Sequence, residues 1–414
     1  MTRKPPGALP ADVARRVASA RRLARAEKVS LYLVGGAVRD VLLRRPVVDV
    51  DLVLEAAADA FARRLARTLG AELALHRRFG TAVITLPDGK HLDIATARAE
   101  EYERPGALPR VRPASIAEDL RRRDFTINAM ALEIAPARRP RLIDPTGGRD
   151  DVERRLVRFL HPRSAFDDAT RAFRAIRYAN RLGFAIERET RRWILAAAES
   201  GAVDALSGDR LRREIVLLFS ESRRAAAVRE MVALRISRTI HPVLQYDAAV
   251  ARRLRTAERL AASRGEGGAT WLLHLLAWMG EVRPAQAGEI AARLNLPRDL
   301  SRIVREWPEV PQRLIRSARK GGGESALESL VDDLDPDSVL AAAAIAPTEA
   351  RRRIRAALES PRVRLEIGGR DLVEAGIPAG PAIGRALSAT RAARRQGSLR
   401  REDELVFALK AARS

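Results

Sequence analysis

Two aspartates separated by one residue are the first candidates for chemistry. Asp49 and Asp51 lie in the apolar run 47–53, where the side-chain period of a strand places both carboxylates on one face. Oxygen ligands that point together from a rigid strand suit Mg²⁺, although such a pair also occurs on ordinary solvated faces. Asp93, with an apolar residue on each side, offers a third carboxylate. Three carboxylates can hold two metal ions, which activate an attacking hydroxyl and stabilise a leaving group without a protein nucleophile.

A glycine pair precedes the aspartates, at the junction between a predicted strand and a predicted helix. Gly35 and Gly36 follow the apolar run 31–34 and open the segment 37–43, which contains Arg39. This arrangement brings backbone N–H groups and the positive end of a helix dipole close to an anion such as a triphosphate. A plain glycine turn is the alternative, and the pair alone does not exclude it.

A basic segment lies between residues 121 and 130. Its arginines can bind phosphate, and an alternation of polar and apolar residues follows them. A basic turn that enters a strand, with the aspartate and asparagine as turn or capping residues, gives the same pattern. The candidate binding residues of this segment are Arg121, Arg122, Arg123, Asp124 and Asn128.

The segment 166–184 is predicted to form one helix with a cluster of donors and acceptors. Asp167, Arg171 and Arg174 fall near one stripe at i, i+4 and i+7, and Asp168 precedes Arg171 by three residues. A ladder of surface ion pairs, worth about 0.2 to 0.5 kcal/mol per pair, accounts for such spacing. Alternatively, an aspartate acceptor beside an arginine donor can complement the Watson–Crick edge of a base.

The elements that must position these residues change in type along the chain. Short β-branched runs alternate with a helical segment from Leu31 to Leu132, which predicts a small α/β head. After Asp150 the strand signals nearly vanish, and helical spacing continues to the C-terminus. Breaks are expected at 321–323 and 366–381, which are rich in Gly and Pro. The predicted strands are Leu31–Val34, Val47–Leu54, Ala82–Leu86, His91–Ala95 and Ile127–Ile134, with a helix over Asp59–Leu69.

The composition favours a soluble, cytoplasmic protein of several domains. The chain has 414 residues and a formal net charge of +23, from 76 Lys and Arg against 53 Asp and Glu. Such a surplus is compatible with nucleic acid, with an anionic membrane, or with codon bias toward Arg. The absence of Cys excludes disulfides and a cysteine nucleophile. The sequence contains no stretch apolar enough to span a membrane, and it leaves the oligomeric state open.

In their order along the chain, these motifs resemble the class II tRNA nucleotidyltransferases, a bacterial family that also includes poly(A) polymerases. Each motif is weak or moderate singly, but their joint order is specific. The resemblance covers roughly residues 25–220, and beyond them only the helical character matches. The matching segments are Leu33–Asp40, Asp49–Asp51, Arg122–Ala129, Asp144–Gly148, Asp167–Arg171 and Gly208–Glu214.

The resemblance implies an α+β fold with four parts. A small nucleotidyltransferase head (1–135) is followed by an all-helical neck (136–220), body (221–320) and tail (321–414). The implied reaction is template-independent addition of nucleotides to the 3′ end of tRNA, with release of pyrophosphate. Mg²⁺ would be the cofactor, ATP and CTP the nucleotides, and the acceptor stem and elbow the parts of tRNA that are bound, with no membrane partner.

By the same resemblance, each motif has a role. The metal ligands are Asp49 and Asp51, with Asp93 in the position of a third acidic residue. The residues against the triphosphate are Gly35, Gly36 and Arg39. The nucleotide phosphates or sugar contact Arg121, Arg122, Arg123 and Asp124, and Asn128 belongs to the same nucleotide site. The base is read by Asp168 and Arg171, which Arg174 supports. Asp167 stands where the family usually has Glu, and its shorter side chain bears on the tightness of base selection.

Two further readings concern the product. The segment Thr96–Pro109 resembles the version found in enzymes that add only the terminal A, so A addition is favoured slightly over complete CCA synthesis. A poly(A) polymerase of the same family is an alternative, which the apparently ordered C-terminal helix Glu402–Ala412 disfavours. A non-catalytic RNA-binding protein with this fold is another alternative, and it would be expected to have lost at least one of the three carboxylates.

Overall fold

The computed structural model describes residues 8–76, 80–101, 110–137, 139–262, 271–319, 324–360, 363 and 365–413. The chain divides into two compact units. The first comprises Met1–Leu206 with Ala233–Ile236, and the second comprises Ser207–Val232 with Ser237–Ser414. The division predicted at residues 135, 220 and 320 stays a prediction, and the predicted break at 321–323 lies outside the described residues.

Strands are concentrated in the first unit. The largest group is a seven-stranded sheet with the order β3-β4-β5-β2-β1-β8-β9, and two smaller pairs are β6-β7 and β10-β11. The strands are β1 (Leu31–Val34), β2 (Val50–Leu54), β3 (Glu72–His76), β4 (Thr81–Thr85), β5 (His91–Thr96), β6 (Arg98–Glu101), β7 (Arg110–Pro113), β8 (Ala131–Ala135), β9 (Arg141–Ile143), β10 (Leu156–Val157) and β11 (Ala185–Ile186).

The register of the sheet decides where the acidic residues meet. β2 and β5 run parallel with Asp51 opposite Asp93, and antiparallel β1 places Val34 opposite Asp51. Val50 and Leu52 are fully buried against the core, and burial of apolar side chains fixes a strand's register because a slip of one residue would turn them outward. The two aspartates are therefore held side by side on neighbouring strands, next to the end of β1.

Helices cover the flanks of the sheet and make up most of the second unit. The α-helices of the first unit are α1 (Ala11–Arg16), α2 (Ala18–Ala26), α3 (Gly36–Leu43), α4 (Ala58–Leu69), α5 (Ile116–Arg121), α6 (Gly148–Arg154), α7 (Ser164–Asp167), α8 (Thr170–Leu182) and α9 (Arg188–Glu199). Those that follow are α10 (Gly208–Phe219), α11 (Arg224–Ala233), α12 (Ala248–Ala262), α13 (Trp271–Met279), α14 (Pro284–Arg293), α15 (Arg298–Glu306), α16 (Val310–Arg319), α17 (Glu324–Asp332), α18 (Pro336–Ile345), α19 (Thr348–Glu359), α20 (Gly369–Glu374), α21 (Pro381–Arg395) and α22 (Glu404–Arg413).

The α+β class predicted from the sequence is confirmed. In the second unit, the Ala-rich helix α18 is buried among α12, α13, α16 and α19, and its small side chains permit this close packing. Within the ranges given above, the structure has no helix long and apolar enough to cross a bilayer.

Several predicted element boundaries are wrong. The strand predicted from Val47 begins at Val50, because Val48 is 76% exposed and leaves the alternating pattern. The strand predicted from Ile127 begins at Ala131, because Thr126–Asn128 forms a 3₁₀ turn. Strands β3 and β9 lie outside every predicted strand, and the short parallel pair β10-β11 interrupts the region that was predicted to be wholly helical.

Candidate active site

The three predicted carboxylates lie close enough to influence one another. Burial and the charges of Asp93 and Asp49 raise the pKa of Asp51 to about 6, against an opposing effect of Arg123. Burial and the charge of Asp49 also raise the pKa of Asp93. Asp49 itself is exposed and lies just before β2, so the prediction that it is part of the strand is wrong, although its charge acts on both Asp51 and Asp93.

This donor set fits a divalent cation. Carboxylate oxygens are the ligands that Mg²⁺ prefers, and a nearby cation would reverse the repulsion that raises the pKa of Asp51 and Asp93. In the part of the chain that the structure describes, however, no three acidic or histidine side chains converge on one point as a formed metal cluster. The assignment of Asp49 and Asp51 as metal ligands therefore stays a prediction.

The glycine turn after β1 joins the acidic residues to an arginine. Gly35 has φ 69°, a conformation that favours glycine. A Cβ atom at Gly35 would lie 3.0 Å from Nη1 of Arg123 and 3.6 Å from Oδ2 of Asp51. The Gly35 amide donates a hydrogen bond to the carbonyl of Met130 at 3.2 Å. A side chain at Gly35 would therefore crowd the guanidinium of Arg123 and approach the carboxylate of Asp51, which is a steric reason for glycine at this position.

A buried aspartate outside the predicted site residues fixes two arginines of the basic segment. Asp119, in α5, accepts hydrogen bonds from Arg122 at 2.6 Å and from Arg123 at 3.0 Å. Burial opposes ionisation of Asp119, but the attraction of Arg123 and Arg122 prevails and lowers its pKa. Ser115 and Glu118 form a capping box that fixes the start of α5. The only sequence signal for these ion pairs is the spacing, since Arg122 and Arg123 follow Asp119 by three and four residues.

A chain of polar contacts crosses the floor of the site. Arg39 is buried, and its Nη1 donates to Oδ1 of Asn128 at 2.7 Å. Asn128 Nδ2 donates to Oδ1 of Asp124 at 3.4 Å. Asp124 forms an ion pair with Arg174 at 2.5 Å. Arg39 therefore does not face the site itself, and it holds the side chain of Asn128 in place.

Tyr178 is a second site residue that the sequence does not predict. Its ring lies 5.5 Å from the guanidinium carbon of Arg39 and 5.9 Å from that of Arg174, within the range of a cation–π interaction. Phe125 packs edge-on against the same ring, with centroids 5.4 Å apart. A tyrosine four residues after Arg174 on α8 was the only sequence signal for this role.

These side chains surround one cavity of about 340 Å³. It lies wholly within the first unit. Of the predicted site residues, Arg39, Asp49, Asp93, Arg121 and Asp167 are not part of its wall, and Arg121 is exposed at the end of α5. The lining residues are Gly35, Gly36, Asp51, Arg122, Arg123, Asp124, Asn128, Asp168, Arg171, Arg174 and Tyr178.

The predicted helix 166–184 is broken at Asp168. The backbone of Asp168 is extended between α7 and α8. Its Oδ1 accepts hydrogen bonds from the amide of Thr170 at 3.1 Å and from the Thr170 hydroxyl at 2.8 Å. The stripe predicted to include Asp167 is therefore wrong, and Asp167 lies instead 3.5 Å from Arg163. Aspartate competes well for such capping bonds, which is why a helix restarts after it.

Arg171 lies on the wall of the cavity, next to Asp168. It is only 8% exposed and lines the cavity on the first turn of α8. Its amide donates to the carbonyl of Asp168 at 3.0 Å, so the two residues are adjacent. Within the described ranges the Arg171 guanidinium has neither a hydrogen bond nor an ion pair to protein, which leaves its donors available to a ligand.

The segment Asp144–Gly148 supports the site indirectly. Asp144 accepts hydrogen bonds from the amides of Gly148 at 2.8 Å and Arg149 at 2.9 Å, which starts α6. A Cβ atom on Gly148 would lie 2.1 Å from the carbonyl oxygen of Thr126. The helix therefore packs directly on the 3₁₀ turn that carries Asn128, and only glycine permits this approach.

Comparison with known proteins places the chain in a family. A sequence profile described as "Poly A polymerase head domain" matches residues 31–158, and one described as "Probable RNA and SrmB- binding site of polymerase A" matches residues 183–247. The CC-adding tRNA nucleotidyltransferase of Deinococcus radiodurans is 33% identical over 381 residues, which cover 92% of this chain and 89% of that protein. This chain belongs to the tRNA nucleotidyltransferase and poly(A) polymerase family. Nucleotidyltransferases of this family generally use a divalent metal ion.

Other members extend the comparison. The A-adding tRNA nucleotidyltransferase of Geobacter sulfurreducens is 33% identical over 401 residues, which are 94% of this chain but 46% of that protein. The chain spans less than half the length of the A-adding relatives it matches. The structure of the Thermotoga maritima CCA-adding enzyme complexed with tRNA aligns with a TM-score of 0.74 and 27% identity, covering 98% of this chain and 97% of that one.

Proposed function

We propose that this protein adds nucleotides to the 3′ end of tRNA without a template, using ATP and CTP and releasing pyrophosphate. The observation that carries the proposal is the single cavity that brings Asp51, Arg123 and Arg171 together at the Gly35 turn. A carboxylate for a metal, a cation for phosphate and a donor for a base are the three groups that such a reaction needs.

The triphosphate would lie along the glycine turn. Gly35 and Gly36 bring backbone close to it, and α3 begins at Gly36, so the positive end of that helix dipole faces the phosphates. Arg122 and Arg123 would bind the phosphates in a fixed orientation, because Asp119 holds both guanidinium groups. This arrangement limits the rotamer entropy that a nucleotide must overcome on binding.

Mg²⁺ would be held by Asp49 and Asp51, with Asp93 beside them. A bound ion would supply activation of the attacking 3′-hydroxyl and stabilisation of the developing charge. The protein side chains, among them Arg122 and Arg123, would align the nucleotide. Because burial and mutual repulsion keep the pKa of Asp51 near 6 without metal, the carboxylate remains mostly ionised at neutral pH and can bind a cation.

Base choice would depend on Asp168 and Arg171. Their donors and acceptors complement the edges of A and C in a way that G and U do not share. Arg174, held by Asp124 and stacked near Tyr178, would keep the wall next to Arg171 in place.

Terminal A addition is our favoured product. Three A-adding relatives are 33 to 45% identical to this chain over less than half of their own length, whereas the CC-adding enzyme of Deinococcus radiodurans matches over 89% of its length. The segment that motivates the choice, 96–109, is described only in part: its flanks form the antiparallel pair β6-β7, and residues 102–109 lie outside the described residues.

The test uses three tRNA transcripts, which end at the discriminator base, at the first C and at the second C. Each is incubated with Mg²⁺ and labelled ATP or CTP, and product lengths are read on a sequencing gel. Extension of only the last transcript by one A supports the A-only product, and growth of the first to full CCA excludes it. An unstructured RNA oligonucleotide is the control. Long A tails on that oligonucleotide would indicate a poly(A) polymerase, and no extension of any RNA would indicate a non-catalytic binding protein.

A further inference from the structure

The second unit contains an arginine-rich cavity that the proposed reaction does not use. It has a volume of about 650 Å³ and lies between α12 and the corner where α18 meets α19. Its wall includes several polar side chains. Among them are the four arginines Arg252, Arg255, Arg259 and Arg351, together with Thr256 and Glu258.

Three of the arginines form a stripe on α12. Arg252, Arg255 and Arg259 stand at i, i+3 and i+7, so they share one face of the helix, and all three are exposed. At 1.5 Å per residue the stripe extends about 10 Å along the helix axis. Arg259 is partly fixed, because its Nη2 donates to the hydroxyl of Thr256 at 3.2 Å.

Arg351 enters the cavity from the opposite side and is held in place. Its Nε donates to the carbonyl of Ala343 at 3.0 Å, and its Nη2 donates to the carbonyl of Ala346 at 2.9 Å. These carbonyls belong to the C-terminal end of α18, where a cation is favoured by the helix dipole. The position of this cation is therefore set by the fold before any ligand arrives.

The positive charge of the cavity is poorly compensated. Across the described ranges, none of the four arginines has a carboxylate within 4.0 Å, whereas many other arginines of the protein form such ion pairs. Glu258 is the acidic residue of the wall, and burial raises its pKa despite the charges of Arg224 and Arg255. A fifth arginine of the wall, Arg253, adds positive charge, although Asp247 and Glu281 act on it and Asp247 acts on Arg252 as well. Like charges at i, i+3 and i, i+4 destabilise a helix. A bound anion would therefore reduce the repulsion among the arginines of α12.

We propose that this cavity is a second phosphate-binding site, which takes a ligand with at least two phosphate groups. Guanidinium groups match phosphate oxygens in pairs, and a stripe about 10 Å long exceeds what one phosphate can contact. The phosphates can belong to a free oligophosphate, such as a nucleotide, or to consecutive positions of an RNA backbone. The second source rests on the proposed function, whereas the first does not.

The test compares the wild-type chain with the double variant Arg255→Gln/Arg259→Gln. The matched control is Arg229→Gln/Arg298→Gln, which removes the same charge from exposed positions of the second unit outside the cavity. Equilibrium dialysis with inorganic triphosphate counts the anions bound per chain. In parallel, the affinity for a tRNA transcript that lacks its last nucleotide is measured against salt concentration. Thermal melting checks that all three proteins are folded.

We expect two bound triphosphates for the wild type and the control, one of them at the Gly35 turn, and one for the cavity variant. A loss of triphosphate binding without a change in the RNA salt slope identifies a free anion as the ligand. If the RNA slope instead falls by about two, which corresponds to two lost phosphate contacts, RNA is the ligand. Unchanged triphosphate stoichiometry together with an RNA slope equal to that of the control overturns the proposal. Dialysis requires no catalysis, so its outcome is separate from that of the extension assay.

Discussion

Asp51 is under opposing demands in the metal-free protein. It must be partly buried to face the cavity, and it must be ionised to bind a cation. Burial and the neighbouring Asp93 and Asp49 raise its pKa from 3.8 to about 6. A carboxyl whose pKa is higher in the folded state than in the unfolded state costs stability in its charged form. This cost is absent below the unfolded pKa, grows between about pH 4 and pH 6, and is complete above pH 6.

Replacement of Asp51 by Asn should therefore stabilise the protein when no metal is present. At pH 7.5 in a chelator we expect the free energy of unfolding to rise by roughly 1 to 3 kcal/mol, since one unit of pKa corresponds to about 1.4 kcal/mol. The gain should vanish near pH 4. Urea unfolding of Asp51→Asn and wild type at several pH values measures it, with exposed Asp49→Asn as a control of smaller effect. A variant less stable than wild type at pH 7.5 would show that the burial cost is not the dominant influence on Asp51.

Arg171 is the residue on which base selection should depend. We expect Arg171→Ala to lower the preference for ATP and CTP over GTP and UTP by about 1 to 3 kcal/mol, the scale of a bidentate base contact, and to slow addition as well. Relative kcat/KM for the four nucleotides measures the preference. Arg163→Ala is the control, because that arginine lies on the same stretch but pairs with Asp167 outside the cavity. An equal loss of rate for all four nucleotides would mean that Arg171 only supports the helix.

At the scale of elements, the site depends on three junctions. The turn from β1 to α3, the capped helix α5 and the packing of α6 on residues 126–128 bring separate segments to one cavity. The last of these is the tightest, since the missing side chain of Gly148 is what lets the two backbones approach.

Gly148→Ala should therefore damage the site from outside it. The added methyl group would overlap the Thr126 carbonyl, and relief requires movement of backbone, at a cost of about 3 kcal/mol. Asn128 would move with the turn, so we also expect a higher KM for nucleotide. Gly384→Ala is the control: it lies in α21 with open space around it, and a helix interior gains about 0.5 to 1 kcal/mol from that change. If the free energy of unfolding and the KM for nucleotide are the same for Gly148→Ala and wild type, the close packing of α6 on residues 126–128 does not support the site.

The elements also show what a sequence can and cannot predict. Strands β1 and β5 and helix α4 follow local periodicity, and their positions are confirmed within a residue or two. The contact of Asp51 with Asp93 depends on pairing between strands about forty residues apart, which no local pattern contains. The helical pattern does not predict the break at Asp168, because it continues on both sides of an aspartate whose side chain caps the backbone.

Two polar residues of the site, Asp119 and Tyr178, lie outside what the sequence predicts. The burial of Asp119 is not predictable, because an acidic residue in a short helix normally faces solvent; the side chains of Arg122 and Arg123 and the amide of Arg98 make its burial tolerable. Tyr178 is not predictable as a site residue, because a tyrosine on a helix usually belongs to the core. Their environments arise from tertiary contacts, which are the Arg98 amide for Asp119 and the side chains of Arg39 and Phe125 for Tyr178.

At the scale of the whole molecule, the net charge of +23 should govern how RNA is bound. We expect the affinity for a tRNA transcript to fall at least about tenfold between 50 and 200 mM salt, because each phosphate contact releases a bound counterion. Filter binding or fluorescence anisotropy across that range measures the slope. ATP binding, with fewer phosphates, should change less. RNA affinity that barely responds to salt would show that the arginine surplus does not contact the RNA.

We expect the carboxylates of Asp49 and Asp51, at the start of β2, to carry metal-dependent nucleotide transfer. The most direct measurement is single-nucleotide extension of a tRNA transcript ending at the second C, with and without Mg²⁺, by wild type, Asp49→Ala, Asp51→Ala and the exposed control Asp88→Ala. We predict Mg²⁺-dependent extension by wild type and Asp88→Ala and none by the other two, which still bind the transcript. Substantial extension by folded Asp49→Ala or Asp51→Ala, or extension by wild type without any divalent metal, would contradict the account.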